Sequence, residues 1–367
     1  MSGNWRNVLS VGVLVSALAV SAWGKPGDKL EWAIQDTGIA ASSSGQTALA
    51  MRSGLVWPVI FTESQSGTAY TLVPAGGKTP GSGSWQTMGT GLYQRPASRL
   101  RVASSSGSMV IFGGYSSSSG GSVYSTAGGW SSLGSDVTHA AFSRDGNLVT
   151  ATRNGVVGLP TYSGSTIVDM AVSSAGDVGI IDSSSRYWQY SPWVGRWLST
   201  SFSSLSGVSM RTESLDLEFD SMGRPHVIGS SGNSVYAFDF STITGTWQVS
   251  ALAALSGISS TLSPTLIANQ KGEVATAWVN AESNGNLMFS YKPDNGDWVT
   301  SVVTSGASRM QRQIGLAYDY ADNPVISYIG DGGRIMLAYD PVVVPEPGVM
   351  GLLAVSGLIA LRRNRAA

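Results

Sequence analysis

The sequence predicts an all-β fold of the β-propeller type, on three observations. Apolar or aromatic residues alternate with other residues over short stretches, as at Leu215, Leu217 and Phe219, and this is the period of a half-buried strand. Turns that contain glycine separate these stretches. A unit of four such strands recurs at intervals of about 40 to 50 residues, which is the period of propeller blades.

The composition agrees with many short strands and excludes several classes of protein. Charged residues make up only 12% of the chain, whereas it contains 46 glycines, 12 tryptophans and 13 tyrosines. A hydrophobic fraction of 42% is too high for a disordered chain. Because cysteine is absent, disulfides and cysteine-based metal sites are excluded, and no cofactor is predicted. The formal charge of -1 indicates a mildly acidic body, which argues against a nucleic acid as the partner.

Residues 1–24 have the features of a Sec-type signal peptide. Arg6 supplies a positive charge, residues 8–20 form an apolar run, and Ala22 and Gly24 are the small residues that the peptidase requires. This segment therefore predicts a signal helix that is removed on export. The alternative that remains open is a buried N-terminal helix.

Residues 25–340 form the predicted propeller domain, with seven repeated units. The first turn of each unit carries residues that tolerate the positive φ of tight hairpin turns. These are Gly54, Gly107, Gly146, Gly176, Gly223, Gly272 and the pair Asp322-Asn323. Tryptophan marks the closing strands, at Trp85, Trp130, Trp197, Trp247 and Trp298.

Two irregular units decide the number of blades. The last unit, residues 314–339, has three strands, whereas the strand at residues 30–34 has no unit before it. We therefore predict that the N-terminal strand completes the last blade and removes its exposed edge. The third unit has three strands and no tryptophan strand. Counted as a blade, it gives the seven blades that we predict, and six is the competing count if it is not a complete blade.

The C-terminal residues 341–367 have the layout of a sorting tail. The motif Pro345-Glu346-Pro347 precedes an apolar run at residues 348–361, and Arg362, Arg363 and Arg365 follow it. A helix over this run reaches roughly 21 Å, shorter than the ~30 Å hydrocarbon core, so it spans a membrane only with its flanking residues. The arginines predict a cytoplasmic end.

This tail closely resembles the PEP-CTERM sorting signal. The resemblance implies that an exosortase, a membrane enzyme of Gram-negative bacteria that make extracellular polysaccharide, is a transient partner that processes the tail. It also implies a helix that lies in the inner membrane before processing and a body on the outer side. A plain membrane anchor is the alternative, and the resemblance covers only the tail.

One predicted strand carries two acids whose spacing would suit a pair of catalytic carboxyl groups. Asp216 and Glu218 lie two residues apart in the sequence Leu-Asp-Leu-Glu-Phe-Asp, so their carboxyl groups could be roughly 6 to 7 Å apart, near the separation in glycosidases. The same positions in other units hold Gly315 and Ala317, or Thr265 and Ile267. We therefore expect that the two acids line a water-filled central channel of the propeller rather than act in catalysis.

The turn at residues 292–298 resembles the Asp-box of sialidase-like propellers, but it lacks one residue before Trp298. The body resembles such propellers only in general pattern. Sialidase catalysis implies an arginine triad and a Tyr/Glu nucleophile pair, and no Arg-Ile-Pro signature is present. The pair Arg224-Pro225 lies in a predicted turn and is a poor substitute.

Other candidate sites are explained more simply as parts of the fold. His139 and His226 fall in different units without metal or triad spacing, so each is predicted to be a strand or turn residue. The acidic turns at residues 319–322 and 331–333 could offer oxygen ligands to calcium but lack regular ligand spacing. Tyr187, Trp188, Tyr190 and Trp193 could stack on sugar rings, or they could pack between blades.

The sequence thus predicts an exported β-propeller of the cell surface or extracellular matrix that acts as a noncatalytic binding or structural module. Extracellular polysaccharide is a candidate partner. A secreted glycan-active hydrolase or lyase of propeller fold is the alternative, and a matrix protein without a ligand is a third possibility.

Overall fold

The computed structural model describes the repeated body of the chain. It describes residues 30–41, 45–51, 58–63, 69–74, 85–89, 99–104, 108–114, 121–125, 129–134, 136–143, 145–191, 194–232, 234–254, 264–269, 271–280, 285–308, 311, 313–319 and 322–340. The predicted signal peptide and sorting tail lie outside these residues. Every described strand belongs to the compact unit Trp32–Ala367. Within the described part, no helix combines the length and the hydropathy needed to cross a membrane.

The described strands form seven antiparallel sheets, six with four strands and one with three. The chain first forms β1 (Ala33–Ala40), which belongs to the last sheet. Sheet 1 then contains β2 (Thr47–Met51), β3 (Pro58–Glu63), β4 (Ala69–Pro74) and β5 (Trp85–Gly89). Sheet 2 contains β6 (Arg99–Ser104), β7 (Ser108–Gly114), β8 (Gly121–Ser125) and β9 (Gly129–Ser132). Sheet 3 has β10 (His139–Phe142), β11 (Leu148–Thr152) and β12 (Gly155–Val156).

The second half of the chain repeats this meander. Sheet 4 contains β13 (Ile167–Val172), β14 (Val178–Asp182), β15 (Arg186–Ser191) and β16 (Arg196–Ser201). Sheet 5 contains β17 (Asp216–Phe219), β18 (Pro225–Ser231), β19 (Ser234–Ser241) and β20 (Thr246–Ala254). Sheet 6 contains β21 (Thr265–Ala268), β22 (Val274–Asn280), β23 (Asn286–Lys292) and β24 (Val299–Ser305). Sheet 7 contains β25 (Gly315–Tyr318), β26 (Pro324–Ile329) and β27 (Arg334–Tyr339), and β1 pairs with β27.

Two short helical segments join sheets 4 and 5. They are the single turn of helix α1 (Phe202–Ser206) and the 3₁₀ turn Thr212–Ser214. Helix α1 ends at Gly207, whose φ of 71° is in the left-handed region. Phe202 is completely buried and packs with Phe238 of sheet 5, so α1 closes the space between the two sheets.

The N-terminal strand completes the last sheet, as the unpaired strand in the sequence predicts. It begins at Ala33, later than the predicted start, and pairs antiparallel with β27 from Ala33↔Tyr339 to Ala40↔Arg334. The hydroxyl of Thr37 donates to the carbonyl of Ile335 at 2.7 Å. Sheet 3 has three described strands, in agreement with the third unit of the sequence.

The first strands of the sheets contact each other in a closed order. The successive contacts join β2, β6, β10, β13, β17, β21 and β25, and β25 contacts β2. Clusters of apolar side chains fill the spaces between several of the neighbouring sheets. One such cluster joins Ala171 and Ile181 of sheet 4 to Leu217 and Val227 of sheet 5. The first strands therefore surround a central channel.

Five first turns share one conformation. In each, the residue after the first strand accepts hydrogen bonds within the turn, and the fourth residue has a positive φ. The φ values are 76° at Gly146, 88° at Gly176, 74° at Gly223, 81° at Gly272 and 63° at Asp322. The prediction from the sequence is correct for these five, while Gly54 and Gly107 lie outside the described residues.

Candidate functional site

The channel contains a cavity of about 940 Å³ lined by residues from all seven first strands. It has three levels along the strands: a charged floor where the strands begin, an apolar wall and a polar rim at the first turns. A cavity of this size is within the range of ligand sites in proteins. It is the candidate functional site.

The floor is built around Arg101 of β6. Its guanidinium forms an ion pair with Asp169 of sheet 4 and a second, at 3.2 Å, with Asp216 of sheet 5. It also donates to the carbonyl of Val168 at 2.9 Å. Because Arg101 belongs to sheet 2, its contacts with sheets 4 and 5 pass in front of sheet 3.

The two carboxylates of the floor also fasten neighbouring sheets together. Asp169 accepts a 2.7 Å hydrogen bond from the backbone N–H of Leu217. Asp216 accepts a 2.7 Å bond from the backbone N–H of Leu266. Each acid thus joins its own sheet to the next one, while Arg101 neutralises part of their charge. These contacts give Asp216 a structural role.

His139 supports the floor from β10. Its Nε2 lies 2.8 Å from the carbonyl of Val168, and its Nδ1 lies 3.0 Å from the hydroxyl of Thr138. Since a carbonyl only accepts, Nε2 carries the proton. Burial, and then the charge of Arg101, lower the pKa of His139 to about 3. The ring is therefore neutral at physiological pH, and the sequence prediction of a strand residue is correct.

Alanine is common in the wall of the cavity. The second-to-last residue of the first strand is alanine in five sheets, Ile267 in sheet 6 and Glu218 in sheet 5. The five alanines are Ala50, Ala103, Ala141, Ala171 and Ala317. Glu218 is thus the single charged residue at this position in the described strands.

Glu218 differs from Asp216 although both lie on β17. Burial raises the pKa of Glu218 well above its usual range, the carboxylates of Asp216 and Asp169 raise it further, and Arg101 acts in the opposite direction. Glu218 is partly accessible from the cavity. The sequence therefore singled out a carboxyl group with an unusual environment, but its neighbour Asp216 holds the floor together.

The rim consists of polar turn residues that are hydrogen-bonded within their own turns. Asp220 accepts from the backbone N–H groups of Met222 and Arg224, each at 2.9 Å. Asp319 accepts from that of Asn323 at 2.8 Å. Lys271 forms a 3.0 Å ion pair with Asp322 at the same rim. The rim is polar and on balance acidic.

A second charged cluster lies between sheets 5 and 6 and contains the other histidine. His226 has Nδ1 2.7 Å from Asp239 and Nε2 3.2 Å from Asp220. Burial lowers the pKa of His226, but the hydrogen bonds and charges of the two aspartates outweigh burial and raise it above its usual value. Burial raises the pKa of Asp239, but His226 and Lys292 lower it to about 2.

The turn that resembles an Asp-box joins this cluster. Lys292 and the indole N–H of Trp298 contact Asp239 at 2.7 and 2.9 Å. Asp294 of the same turn forms a 2.7 Å ion pair with Arg224. The turn therefore fastens sheet 6 to sheet 5, and Arg224 is used in the same contact.

The aromatic residues of sheet 4 pack between sheets. Tyr187 stacks edge-on against Trp247 of sheet 5 at 5.2 Å between ring centroids. Trp188 contacts Tyr162 on the side of sheet 3 at 5.6 Å. Tyr190 lies 5.5 Å from Trp197 of its own sheet. Tyr187 and Trp188 are buried, which agrees with packing, and Trp193 lies outside the described residues.

The acidic turns are not assembled into a metal site. Within the described residues, no group of three or more His, Cys, Asp or Glu side chains could hold a metal ion. Asp319 and Asp322 lie at the rim, where Asp322 is paired with Lys271. The sorting residues Pro345, Glu346, Pro347, Arg362, Arg363 and Arg365 all lie outside the described part of the chain.

Sequence reasoning missed Arg101 and Asp169, the two floor residues in sheets 2 and 4. The available signal was a charged residue inside an otherwise apolar first strand, as in Arg-Leu-Arg-Val-Ala and Ile-Val-Asp-Met-Ala. Such residues require a partner because an unpaired charge in a channel wall is expensive. The partner comes from a distant strand, so spacing alone could not reveal it.

Comparison with known proteins supports the fold. No protein-family model and no curated protein matches the chain. The structure "YCF48 bound to D1 peptide" is similar with a TM-score of 0.53 at 13% identity, over 86% of this chain and 99% of that chain. YCF48 from Cyanidioschyzon merolae has a TM-score of 0.52 at 11% identity, over 84% and 99%. PorZ, a surface component of the type-IX secretion system of Porphyromonas gingivalis, has a TM-score of 0.45 at 12% identity, over 83% and 37%.

The YCF48 structures are β-propellers. At this level of identity the likeness concerns the fold alone. Together with the closed order of first strands, it shows that the body of this chain is folded as a β-propeller.

Proposed function

We propose that this protein is an exported, noncatalytic binding module whose ligand enters the channel of a seven-bladed propeller. The observation that carries this proposal is the cavity of about 940 Å³ whose floor acids are used for holding sheets together. A ligand can occupy such a cavity, while Asp216 is engaged by Arg101 and by the backbone of sheet 6. Seven blades follow from counting each described sheet as one blade.

The place of action is proposed from the two ends of the sequence. Residues 1–24 direct export through Sec, and residues 341–367 are the sorting signal that an exosortase processes. The body would then act at the cell surface or in the extracellular matrix of a Gram-negative bacterium. Polysaccharide of that matrix is the partner class we propose to test first, for binding to any surface of the propeller.

One observation favours a catalytic alternative. Glu218 has a strongly raised pKa in a cavity, and such a carboxylic acid can act as a general acid. The second carboxylate of a glycoside hydrolase must be free to act as base or nucleophile. Asp216 is bound on both sides, so we place a glycan-active hydrolase or lyase second.

A polysaccharide panel tests both functions. The purified protein is expected to retain a subset of the polysaccharides and to release no shortened or unsaturated products. Products that disappear in Glu218→Gln would establish the catalytic alternative and overturn the proposal. Deletion of residues 344–367 tests the sorting proposal separately, because it should change how much protein stays at the cell surface.

A further inference from the structure

We propose that the channel cavity binds a primary ammonium group on an aliphatic stem, the chemistry of a lysine side chain presented by a peptide, and that Glu218 is its carboxylate partner. This inference rests on the proposed binding function and specifies the ligand of the channel. It concerns the channel only, so a polysaccharide that binds elsewhere on the propeller is compatible with it.

The side chains around Glu218 suit an aliphatic group. Glu218 lies midway between the floor and the rim, since Asp216 begins β17 and Asp220 follows its last residue. Five alanines and Ile267 occupy the corresponding positions of the other first strands. A lysine stem that enters from the rim would pass between these small apolar side chains and bring its ammonium to Glu218.

The charges of the cavity favour a cation. Its described charged lining consists of six acids and one base, and the base is Arg101. Arg101 is already engaged by Asp169 and Asp216, so the floor retains a net negative charge. At the rim, Lys271 is paired with Asp322. An anionic ligand would therefore meet repulsion along the channel.

Neighbouring rim and sheet residues leave Glu218 as the acid for the ligand. Asp220 is engaged by Arg224 and His226. His226 stands opposite Glu218 in the register of β17 and β18, but its two ring nitrogens face Asp220 and Asp239. Those charges compensate one another within the sheet.

Binding of an ammonium should be linked to ionisation of Glu218. Burial and the acids Asp216 and Asp169 raise the pKa of Glu218, so this group holds its proton more tightly than an exposed glutamate does. An ammonium favours the carboxylate, and the Glu218 proton leaves to solvent when the ligand binds. The affinity should therefore increase as the pH rises.

The walls favour lysine over an amino sugar as the source of the ammonium. A sugar ring carries several hydroxyl groups that need hydrogen-bond partners when they are buried. At the level of Glu218, the other first strands carry five alanines and Ile267, whose side chains offer no hydrogen-bond partner. An aliphatic stem loses no hydrogen bonds there and gains burial of apolar surface.

The test compares two peptides that differ in one charge. The probes are acetyl-Gly-Gly-Lys-Gly-Gly-amide and the same peptide with ε-acetylated lysine, titrated into the full-length protein in mild detergent and followed by calorimetry or NMR. We expect the lysine peptide to bind about tenfold more tightly or better, as a charge-assisted hydrogen bond in a cavity provides. The preference should grow as the pH rises through the raised pKa of Glu218.

Two variants identify the site. Glu218→Gln should remove both the preference for free lysine and the pH dependence, and it should fold because a neutral amide of the same shape is easier to bury. Glu213→Gln is the matched control, since this acid has a side chain that is 77% exposed, and it should bind like the unaltered protein.

The outcomes separate this inference from the proposed function. Equal binding of the two peptides, or a preference that persists in Glu218→Gln, would overturn the inference. Tighter binding of a glucosamine tetramer than of the lysine peptide would overturn the aliphatic-stem assignment. If polysaccharide is retained but neither peptide binds, the inference is wrong and the binding function stands. If nothing in either test binds, both are wrong.

Discussion

Arg101 carries a positive charge into a channel whose neighbouring side chains are largely apolar or acidic. Its side chain is only 10% exposed, and those of its partners Asp169 and Asp216 are 4% and 11% exposed. Removal of one member of a buried ion cluster leaves the other charges uncompensated, at a cost of about 3–5 kcal/mol. The identity of Arg101 is thus set by two acids that belong to other sheets.

We predict that Arg101→Met destabilises the protein by about 3–5 kcal/mol in the free energy of unfolding. The reason is that Asp169 and Asp216 would face each other across the floor without a cation. Denaturant unfolding measures the change. Adding Asp169→Asn and Asp216→Asn should restore part of the stability, because an asparagine oxygen still accepts the backbone hydrogen bonds.

The matched control is Arg153→Met, which removes an exposed arginine from a turn of sheet 3. It should change stability little, since surface charges contribute little. A loss for Arg101→Met no larger than for this control would contradict the role of Arg101 in the floor.

The two histidines should respond to pH in opposite directions. The pKa of His226 is raised by Asp220 and Asp239, so its contribution to stability is complete below about 6.5, the usual histidine value, and is lost as the pH rises through the folded pKa. The pKa of His139 is lowered to about 3. Its protonation in the unfolded chain therefore reduces stability as the pH falls below about 6.5.

Thermal unfolding between pH 4.5 and 9 separates the two effects. Relative to the unaltered protein, His226→Gln should flatten the loss of stability above about pH 6.5, and His139→Gln should flatten the loss between about pH 6.5 and pH 4.5. The aspartates titrate in the unfolded chain near pH 3.9, below this window, and Glu218, whose pKa is raised, is present in all the proteins compared, so its effect cancels in the differences. Unchanged slopes in both variants would contradict these assignments.

The repeated first turn joins the first strand of a sheet to the second strand. In sheet 4, Ser173 Oγ accepts from the backbone N–H groups of Ala175 and Asp177, and Gly176 N–H donates to the carbonyl of Ser173. Gly176 has a φ of 88°. The turn thus requires a left-handed residue for its conformation.

We predict that Gly176→Ala lowers stability by about 1 kcal/mol or more, through backbone strain alone. A Cβ at this glycine would meet no atom within 4 Å, so a clash does not contribute. Gly155→Ala is the matched control, because that glycine is equally open and lacks a positive φ. Denaturant midpoints should separate the two variants, and equal midpoints would contradict the argument.

Elements of this kind were predictable from the sequence because their causes are local. Period-two alternation marks β17, and the turn that contains Gly223 follows it within a few residues. The candidate site was less predictable. Asp216 and Glu218 look equivalent in the sequence, and their roles are distinguished by the contacts of Asp216 with Arg101, 115 residues away, and with the backbone of Leu266. Contacts that cross the channel join strands that are far apart in the sequence, so no local sequence pattern predicts them.

The first and the last strand of the described chain meet in one sheet. β1 pairs with β27, and Arg334 forms a 2.9 Å ion pair with Asp36 across this junction. Sheet 7 also lies very close to sheet 1, because a Cβ at Gly315 would come within 2.6 Å of the backbone of Ala48. The propeller is thus closed by noncovalent contacts between residues almost 300 positions apart.

Closure predicts a specific effect of shortening the chain. A protein that begins at residue 41 lacks β1, so β27 becomes an edge strand with free backbone groups. We expect a lower unfolding temperature and association that increases with protein concentration. A protein that begins at residue 30 keeps β1 and is the matched control. Thermal unfolding and light scattering after size exclusion measure both properties. If the two shortened proteins unfold at the same temperature and both remain monomeric, β1 does not hold the propeller closed.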